Sequence, residues 1–132
     1  MKKINQNQIN HTNSYYAATA NQKLNFPELH ESIKTQVCIV GAGFTGINTA
    51  INLAKKGYEV VVIESARVGW GASGRNGGQL ISGFTFSDKF EKEMGAEVAQ
   101  SVWDLGAKAT DLVRKRIEEF NIQCDLKEGF IE

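Results

Sequence analysis

The sequence predicts an α/β fold built on a parallel sheet, and three observations lead to this prediction. Two short β-branched apolar runs, residues 36–40 and 59–64, have the composition of strands buried on both faces of a parallel sheet. The segment between them, residues 45–57, carries apolar residues at helical spacing. Strand, helix and strand follow within about thirty residues, which is the size of a βαβ unit.

The first predicted strand, QVCIV, contains Cys38, which we interpret as a small core residue. Residues 1–34 before it are rich in Asn, Gln, Thr and Ser without any period, so we predict a polar N-terminal tail. Tyr15, Tyr16 and Phe26 are the candidates to order part of this tail by docking. The fold proper is expected over residues 35–132.

The turn after this strand, VGAGFTG, places Gly41, Gly43 and Gly46 in the pattern G-x-G-x-x-G. In a dinucleotide-binding turn the first glycine allows the tight turn, the second admits a pyrophosphate, and the third lets the helix pack closely on the strand. Phe44 and Thr45 would lie at the start of the helix, whose free N–H groups and dipole attract phosphate. The sequence therefore predicts a phosphate-binding turn here.

The predicted helix stops at Gly57, in the position that follows a helix cap, and the second strand ends at Glu64. A carboxylate at this place can accept hydrogen bonds from the ribose hydroxyls of an adenosine, and it would repel a 2′-phosphate, which argues against NADP. The alternative is a solvated acid at the end of a strand.

A glycine-rich loop, GWGASGRNGGQ, follows at residues 69–79 and holds five glycines in eleven residues. So much glycine disfavours both helix and strand. Two interpretations remain open from the residues alone. One is a floppy surface loop with Arg75 and Asn76 at its exposed tip, and the other is a backbone that lies close against a flat ligand.

Beyond the loop, residues 80–86 fit either a short strand or an extended segment, and Ser87 fits a helix N-cap. A long helical pattern follows, with a break expected at Gly95. Its apolar stripe is interpreted as core rather than interface. The stripe comprises Val98, Val102, Leu105, Ala109, Leu112 and Phe120. Residues 123–126 are a candidate for the start of another strand.

Composition excludes several functions. Fifteen basic residues balance fifteen acidic ones, which gives no support to a nucleic-acid partner or an anionic membrane surface. No apolar run reaches the length of a membrane span. Two cysteines are too few for a disulfide framework, so a cytoplasmic protein is expected. His11 and His30 lack a pattern of metal-ligand spacing, so no metal is expected.

The run VCIVGAGFTGINTAINLAKKGYEVVVIE, followed by ARVGWGASGRNGGQ, resembles the N-terminal end of the D-amino acid oxidase superfamily of FAD-dependent enzymes. It is similar in particular to the branch that contains γ-glutamylputrescine oxidase and related glycine/D-amino acid oxidases, as is SYYAAT at residues 14–19. The glycine loop is the more specific of the two motifs. The resemblance implies a Rossmann-like FAD/NAD(P)-binding fold with FAD as cofactor.

The resemblance also implies where the cofactor lies. Arg67 would lie near the adenosine end of FAD, and Ser65 is also expected among the cofactor-binding residues. Ala72 and Ser73 would lie near the pyrophosphate and ribityl chain. The residues near the isoalloxazine ring would be Arg75, Asn76, Gly77 and Gly78. Arg75 would stabilise either the negative charge of the reduced flavin or a phosphate.

The chemistry that the resemblance implies is oxidation of the C–N bond of an amine or amino acid, with a hydride passing to flavin N5 and the imine product hydrolysing. Relatives carry a separate substrate domain and more of the FAD domain, so we expect this chain to be an N-terminal piece that is inactive alone. No catalytic residue is assigned. The partner expected for the full-length protein is a small-molecule amine or amino acid.

Two other functions remain as alternatives. A non-catalytic module that binds NAD or ADP would need the phosphate turn but no flavin loop, so residues 71–79 count against it. A plain interaction domain would use the long helix as its contact surface.

Overall fold

The computed structural model describes residues 14–22, 24–81 and 88–129. The chain divides into two compact units, Met1–Gly77 and Gly78–Glu132. The elements of the first unit are α1 (Tyr15–Thr19), β1 (Val37–Val40), α2 (Phe44–Lys55), β2 (Val60–Ile63) and a 3₁₀ turn at Ala72–Gly74. Those of the second are α3 (Asp88–Met94) and α4 (Ala96–Glu119). Within the described ranges no helix is both long and apolar enough to cross a bilayer.

The sheet of the first unit consists of β1 and β2, which pair in parallel with Val37 opposite Val60. Helix α2 connects the two strands and contacts both. A side-chain hydrogen bond joins the two segments just before the strands begin, since Thr35 Oγ1 donates to the carbonyl of Glu59 at 2.9 Å. The predicted α/β fold and the order strand, helix, strand are confirmed.

Burial on both faces of the sheet was expected, and this expectation is wrong for the described chain. Residues alternate along β1, so that Ile39 is half-buried whereas Cys38 is exposed and Val40 is 82% exposed. Successive strand side chains point to opposite faces, and α2 lies on the face of Ile39. Cys38 is therefore not a core residue here, because its face of the sheet is uncovered.

Helix α2 ends as the sequence predicts. Gly57 has a φ of +87°, and its N–H donates to the carbonyl of Ala54 at 2.9 Å. The next N–H, from Tyr58, donates to the carbonyl of Leu53 at 3.1 Å. These two bonds form a Schellman motif, in which glycine takes the left-handed position without the steric cost of a side chain.

The described part of the N-terminal segment contains a short helix, α1, capped by the Ser14 hydroxyl, which accepts from the N–H of Ala17 at 3.2 Å. Tyr15 and Tyr16 meet edge to face with ring centroids 5.6 Å apart. Both rings and that of Phe26 are exposed. The expected docking of these three aromatic residues is therefore not found in the described structure.

The break at Gly95 is confirmed in the second unit. Gly95 has a φ of +85°, accepts the first hydrogen bond of α4 from Ala99, and donates to the carbonyl of Glu91 at 2.8 Å. Helices α3 and α4 meet at this residue and contact each other. Ser87 and residues 82–86 lie outside the described residues, and Leu80 and Ile81 adopt no regular structure.

The apolar stripe predicted as core on α4 is largely exposed, which corrects that interpretation. Leu105 is 59% exposed, and Val98, Ala109, Leu112 and Phe120 are also exposed. The buried residues of α4 are instead Gly106, Thr110 and Arg116. The periodicity specified an amphipathic helix, but its fully buried residues are small or polar, while Val102 is half-buried and the other residues of the stripe meet solvent.

Helix α4 ends in a second Schellman motif, with Asn121 in the left-handed position at a φ of 47°. Its N–H donates to the carbonyl of Glu118 at 3.1 Å, and that of Ile122 donates to the carbonyl of Ile117 at 2.9 Å. The strand proposed for residues 123–126 is absent from this described segment. Asp125, with a φ of 52°, has a left-handed backbone that a strand does not accommodate.

Candidate dinucleotide-binding site

The glycine turn lies between β1 and α2 and is closed by backbone contacts. The N–H of Gly41, where φ is +99°, donates to the carbonyl of Ile63 at 2.7 Å. A Cβ at Gly46 would overlap the carbonyl oxygen of Gly41 and would lie 3.4 Å from Ile39 Cγ2. The geometry therefore requires glycine at residue 46 for the close packing of α2 on β1.

The N-terminus of α2 is open. The first hydrogen bond within the helix runs from the N–H of Ile47 to the carbonyl of Gly43 at 3.0 Å, so the preceding N–H groups have no acceptor inside the helix. The Phe44 N–H donates to the Ser73 hydroxyl at 2.9 Å, and a Cβ at Gly43 would approach that oxygen to 2.9 Å. Thr45 is exposed beside them. Ser73 thus crosses the end of the helix through space that a side chain at residue 43 would need.

Glu64 follows β2 and bonds back to the turn. Its Oε2 accepts from the Ala42 N–H at 2.7 Å. Its Oε1 accepts from the Ala66 N–H at 3.1 Å and from the Ser65 hydroxyl at 3.2 Å. These donors, that of Ala42 above all, lower the pKa of Glu64 below its ordinary value, against a smaller opposing effect of burial. The carboxylate is consequently ionised at neutral pH.

The glycine loop is folded back on itself and tied to the turn. The N–H of Gly69 donates to the carbonyl of Ala42 at 2.9 Å, and a Cβ at Gly74 would overlap the carbonyl oxygen of Gly69. Within the 3₁₀ turn the N–H of Arg75 donates to the carbonyl of Ala72 at 3.1 Å. Of the two interpretations of this loop, the floppy segment does not agree with so many internal contacts.

The side chains at the end of the loop also turn inward. Arg75 Nε donates to the carbonyl of Trp70 at 3.0 Å, and Arg75 Cζ lies 4.3 Å from the centroid of the Trp70 ring. Asn76 Nδ2 donates to the carbonyl of Ser73 at 2.8 Å. Both Arg75 and Asn76 remain exposed to solvent.

The structure brings together part of the predicted residue set. One group surrounds the helix N-terminus and contains Gly41, Gly43, Phe44, Thr45, Gly46, Ala72 and Ser73, and the other surrounds the carboxylate and contains Glu64 and Ser65. Arg67 is half-buried, and its carbonyl accepts from the N–H of Trp70 at 3.0 Å. Gly77 and Gly78 are exposed, and Gly78 opens the second unit.

Two residues of this region were not predicted from the sequence. Ala42, only 3% exposed, joins both groups because its N–H binds Glu64 and its carbonyl binds Gly69. The sequence signal for Ala42 was its position between the first two glycines of G-x-G-x-x-G. Trp70 was missed as well, although a large aromatic residue inside a glycine run is a signal for a packing contact.

The donor set fits the ADP portion of a dinucleotide. Phosphate binding needs N–H groups at a helix N-terminus that have no acceptor inside the helix and a glycine that admits the anion to the backbone, and the N–H groups of Thr45 and Gly46 together with Gly43 meet this need. Ribose binding needs an ionised acceptor at the end of the second strand, which Glu64 supplies. The two sites are adjacent, because residues 43–46 follow Ala42 in the chain and Glu64 accepts the N–H of Ala42.

Comparisons with known proteins agree with this geometry. Residues 36–131 match the protein family described as "FAD dependent oxidoreductase". The chain is 45% identical over 121 residues to "Probable oxidoreductase OrdL" of Haemophilus influenzae, covering 91% of this chain and 28% of that protein. It is 44% identical over 120 residues to "Gamma-glutamylputrescine oxidoreductase" of Escherichia coli, covering 90% of this chain and 28% of that protein.

A third relative is "Probable oxidoreductase OrdL" of Rhizobium meliloti, which is 39% identical over 117 residues, with 88% of this chain and 27% of that protein covered. The chain thus spans little more than a quarter of the length of these relatives. No solved structure matches the chain. The family match covers most of the chain and includes the turn, Glu64 and the glycine loop, so the resemblance seen in the sequence is confirmed. The chain belongs to the family of FAD-dependent oxidoreductases.

Proposed function

We propose that this chain holds the ADP end of FAD in an oxidoreductase that oxidises the C–N bond of an amine or amino acid. The observation that carries the proposal is the geometry around Ala42. Ala42 is followed by Gly43, after which the open N-terminus of α2 begins. The N–H of Ala42 donates to Glu64 Oε2 at 2.7 Å. A pyrophosphate site and a ribose site thereby adjoin one another, as they do in ADP.

The pyrophosphate would bind at residues 43–46. The N–H groups of Thr45 and Gly46 precede that of Ile47, the first that donates within the helix, and the positive end of the helix dipole adds to their attraction for an anion. Ser73 contributes a further donor, because its oxygen accepts from Phe44 while its O–H proton remains available for a phosphate oxygen. The site therefore combines backbone donors with one hydroxyl.

The ribose would bind at Glu64. Its Oε1 accepts two hydrogen bonds, whereas its Oε2 accepts one, from Ala42. A carboxylate oxygen has two lone pairs, so Oε2 retains one for a ribose hydroxyl. The same negative charge would repel the 2′-phosphate of NADP.

The reaction class rests on the family and on one relative. Bound FAD supplies the hydride acceptor for oxidation of a carbon–nitrogen bond, and the imine product hydrolyses in water. The name of the E. coli relative, "Gamma-glutamylputrescine oxidoreductase", supports a substrate that carries an amine. A small-molecule amine or amino acid is accordingly the substrate class that we propose for the whole protein.

We assign β1, α2 and β2 to a Rossmann-like FAD-binding fold, with residues 35–132 as part of the FAD-binding domain and residues 1–34 as an N-terminal tail. The parallel pairing of β1 with β2 around α2 supports this assignment. We propose further that the 132-residue chain by itself oxidises no amine. The exposed face of β1 supports this, because hydride transfer needs a site from which water is excluded.

Titration of the chain with FAD, ADP and NAD tests the proposed function. FAD is expected to bind, with the amide resonances of Gly43, Thr45 and Gly46 shifting in NMR spectra. The variant Gly43→Val should abolish these shifts, because its side chain takes the space of Ser73 Oγ and of the phosphate. Gly71→Ala is the control for a side chain added at a glycine, since a Cβ there meets no protein atom within 4 Å.

The competing outcomes are distinct. Binding of NAD in clear preference to FAD would favour the non-catalytic nucleotide module. Binding of FAD by Gly43→Val as tightly as by the unaltered chain would show that the turn is not the pyrophosphate site. Amine-dependent bleaching of flavin by the chain alone would contradict the proposed inactivity.

A further inference from the structure

The side chain of Arg75 is held by one neighbouring residue through two different contacts. Its Nε donates to the carbonyl oxygen of Trp70 at 3.0 Å, and its Cζ lies 4.3 Å from the centroid of the Trp70 ring. The hydrogen bond fixes the guanidinium at its inner end, and the ring supports it through a cation–π contact. Arg75 is therefore held in one orientation although it is exposed.

The outer end of the same guanidinium remains open. An arginine side chain has five N–H donors, of which four belong to the two terminal amino groups. In the part of the chain that the structure describes, Nε is the one nitrogen of this guanidinium that donates to a protein acceptor. Arg75 thus presents a planar fork of donors whose orientation is set before any ligand binds.

Trp70 is itself linked to the nucleotide turn. Its N–H donates to the carbonyl of Arg67 at 3.0 Å, and the adjacent N–H of Gly69 donates to the carbonyl of Ala42 at 2.9 Å. Ala42 is also the residue whose N–H binds Glu64. One backbone bond, from Gly69 to Ala42, therefore ties the residue before Trp70 to the turn, a second fixes Trp70 on Arg67 within the loop, and Arg75 is fixed on Trp70.

We propose that Trp70 is a positioning residue that holds the Arg75 guanidinium so that its terminal amino groups donate to an anionic oxygen of bound FAD. This inference rests on the proposed function. Two groups of FAD share the required chemistry, the pyrophosphate and the ring carbonyl whose oxygen gains charge on reduction. A preorganised cation loses less conformational freedom on binding than a freely rotating one, which is why the stack increases affinity.

A double-mutant cycle on the 132-residue chain tests the positioning role. Trp70→Ala removes the ring but keeps the backbone carbonyl, and Arg75→Ala removes the cation. Trp70→Ala is expected to weaken FAD binding about twofold to fivefold, as expected for an exposed cation–π contact, and Arg75→Ala about tenfold to a hundredfold, as expected for a charged hydrogen bond. The double variant should bind no more weakly than Arg75→Ala alone, because Trp70 acts through Arg75.

Two further variants separate positioning from general packing. Trp70→Phe keeps a ring face and should retain most of the affinity. Trp103→Ala alters the other tryptophan, which is exposed on α4, and should leave FAD binding unchanged. Without any ligand, the Arg75 Nε–H resonance should exchange with solvent faster in Trp70→Ala than in Trp70→Phe.

ADP identifies the acceptor, because it carries the pyrophosphate but no ring. An equal loss of ADP and FAD affinity in Trp70→Ala supports the inference with a phosphate as acceptor. A loss confined to FAD, with a more negative midpoint potential of the bound flavin in both single variants, supports it with the ring as acceptor.

The inference is overturned if Trp70→Ala weakens FAD binding as much in the Arg75→Ala background as in the unaltered chain, since Trp70 would then act without Arg75. It is overturned equally if Trp70→Ala has no effect on FAD binding. A failure of the unaltered chain to bind FAD would remove the proposed function itself, and that outcome is recognised before any variant is compared.

Discussion

The glycine turn and helix α4 differ in the contacts that stabilise them. At the turn, main-chain atoms leave no space for a side chain at Gly46, where a Cβ would overlap the carbonyl oxygen of Gly41, and Ala42 is buried. Helix α4 has a regular backbone over 24 residues, yet Leu105 and Leu112 on its apolar stripe are exposed. The turn is thus specified by contacts inside its own unit, whereas α4 is helical without burying its largest apolar side chains.

This difference shows which sequence patterns predict structure without knowledge of the tertiary contacts. A glycine that must adopt a positive φ or admit a neighbouring carbonyl is constrained by atoms a few residues away. An apolar stripe contributes about 1.5–3 kcal/mol per large side chain only when another surface covers it. Helix α4 is instead stabilised by local features, including the hydrogen bond from Gln100 Nε2 to Asp104 Oδ1 at 2.8 Å and the Schellman motif at Asn121.

The largest effect is expected from Gly46→Ala, which adds a side chain in the close-packed glycine turn. Its Cβ would overlap a backbone carbonyl, which a rotamer change cannot relieve, so α2 would have to move off β1. We expect a destabilisation of roughly 1–3 kcal/mol or more and loss of detectable FAD binding. Hydrogen exchange of the α2 amides measures the first effect and FAD titration the second.

Gly71→Ala is the control for that measurement, because it adds the same methyl group where a Cβ meets nothing within 4 Å. If Gly46→Ala exchanged as slowly and bound FAD as tightly as Gly71→Ala, the close approach of α2 to the turn would not be a requirement of this fold.

A smaller effect is expected from Glu64→Gln, which keeps the shape of the side chain and removes its charge. Loss of a charged hydrogen bond to ribose costs about 1.5–3 kcal/mol, so FAD affinity should fall roughly tenfold to a hundredfold. The midpoint potential of the bound flavin should stay the same, because the ribose lies far from the ring. A changed potential at full occupancy would place Glu64 elsewhere along the cofactor.

Lowering the pH should weaken the hydrogen bonds that the Glu64 carboxylate accepts in the unaltered chain. The pKa of Glu64 in the folded chain lies below its ordinary value of 4.5. The contribution of the carboxylate to the stability of the fold is therefore complete above that value and is lost as pH falls through the lowered pKa. The amide resonance of Ala42, which donates to Oε2, should report this protonation. In Glu64→Gln the titration should vanish, and its persistence would assign the effect to another group.

The smallest effects are expected on α4, where one substitution can be compared at two positions. Val98 is exposed and Val102, one turn later, is half-buried. Val98→Thr should change the stability of α4 by no more than about 0.5 kcal/mol, whereas Val102→Thr should cost roughly 1 kcal/mol or more because it buries a hydroxyl. Urea denaturation followed by circular dichroism measures both. Two equally large costs would mean that the stripe is covered at both positions, and two equally small costs would mean that Val102 is as accessible as Val98.

Much of the fold could be predicted from the sequence because its causes are local. The strand–helix–strand order followed from apolar periodicity, and the end of α2 at Gly57 and the break at Gly95 followed from backbone conformations that glycine adopts most readily. The position of Glu64 at the end of β2 was also readable, since the length of the unit sets where the second strand ends. Asn121, which ends α4 in the same way as Gly57 ends α2, was overlooked because asparagine is a weaker signal for that position.

What only the tertiary structure decided involves residues far apart in the chain or the choice of a covered face. The bond from Ala42 to Glu64 spans 22 residues and that from Phe44 to Ser73 spans 29, and no local pattern specifies which donor meets which acceptor. Exposure of Cys38 and of the stripe on α4 was likewise not readable. Periodicity tells which residues share a face, but burial depends on whether another surface is brought against that face, and that is determined by packing alone.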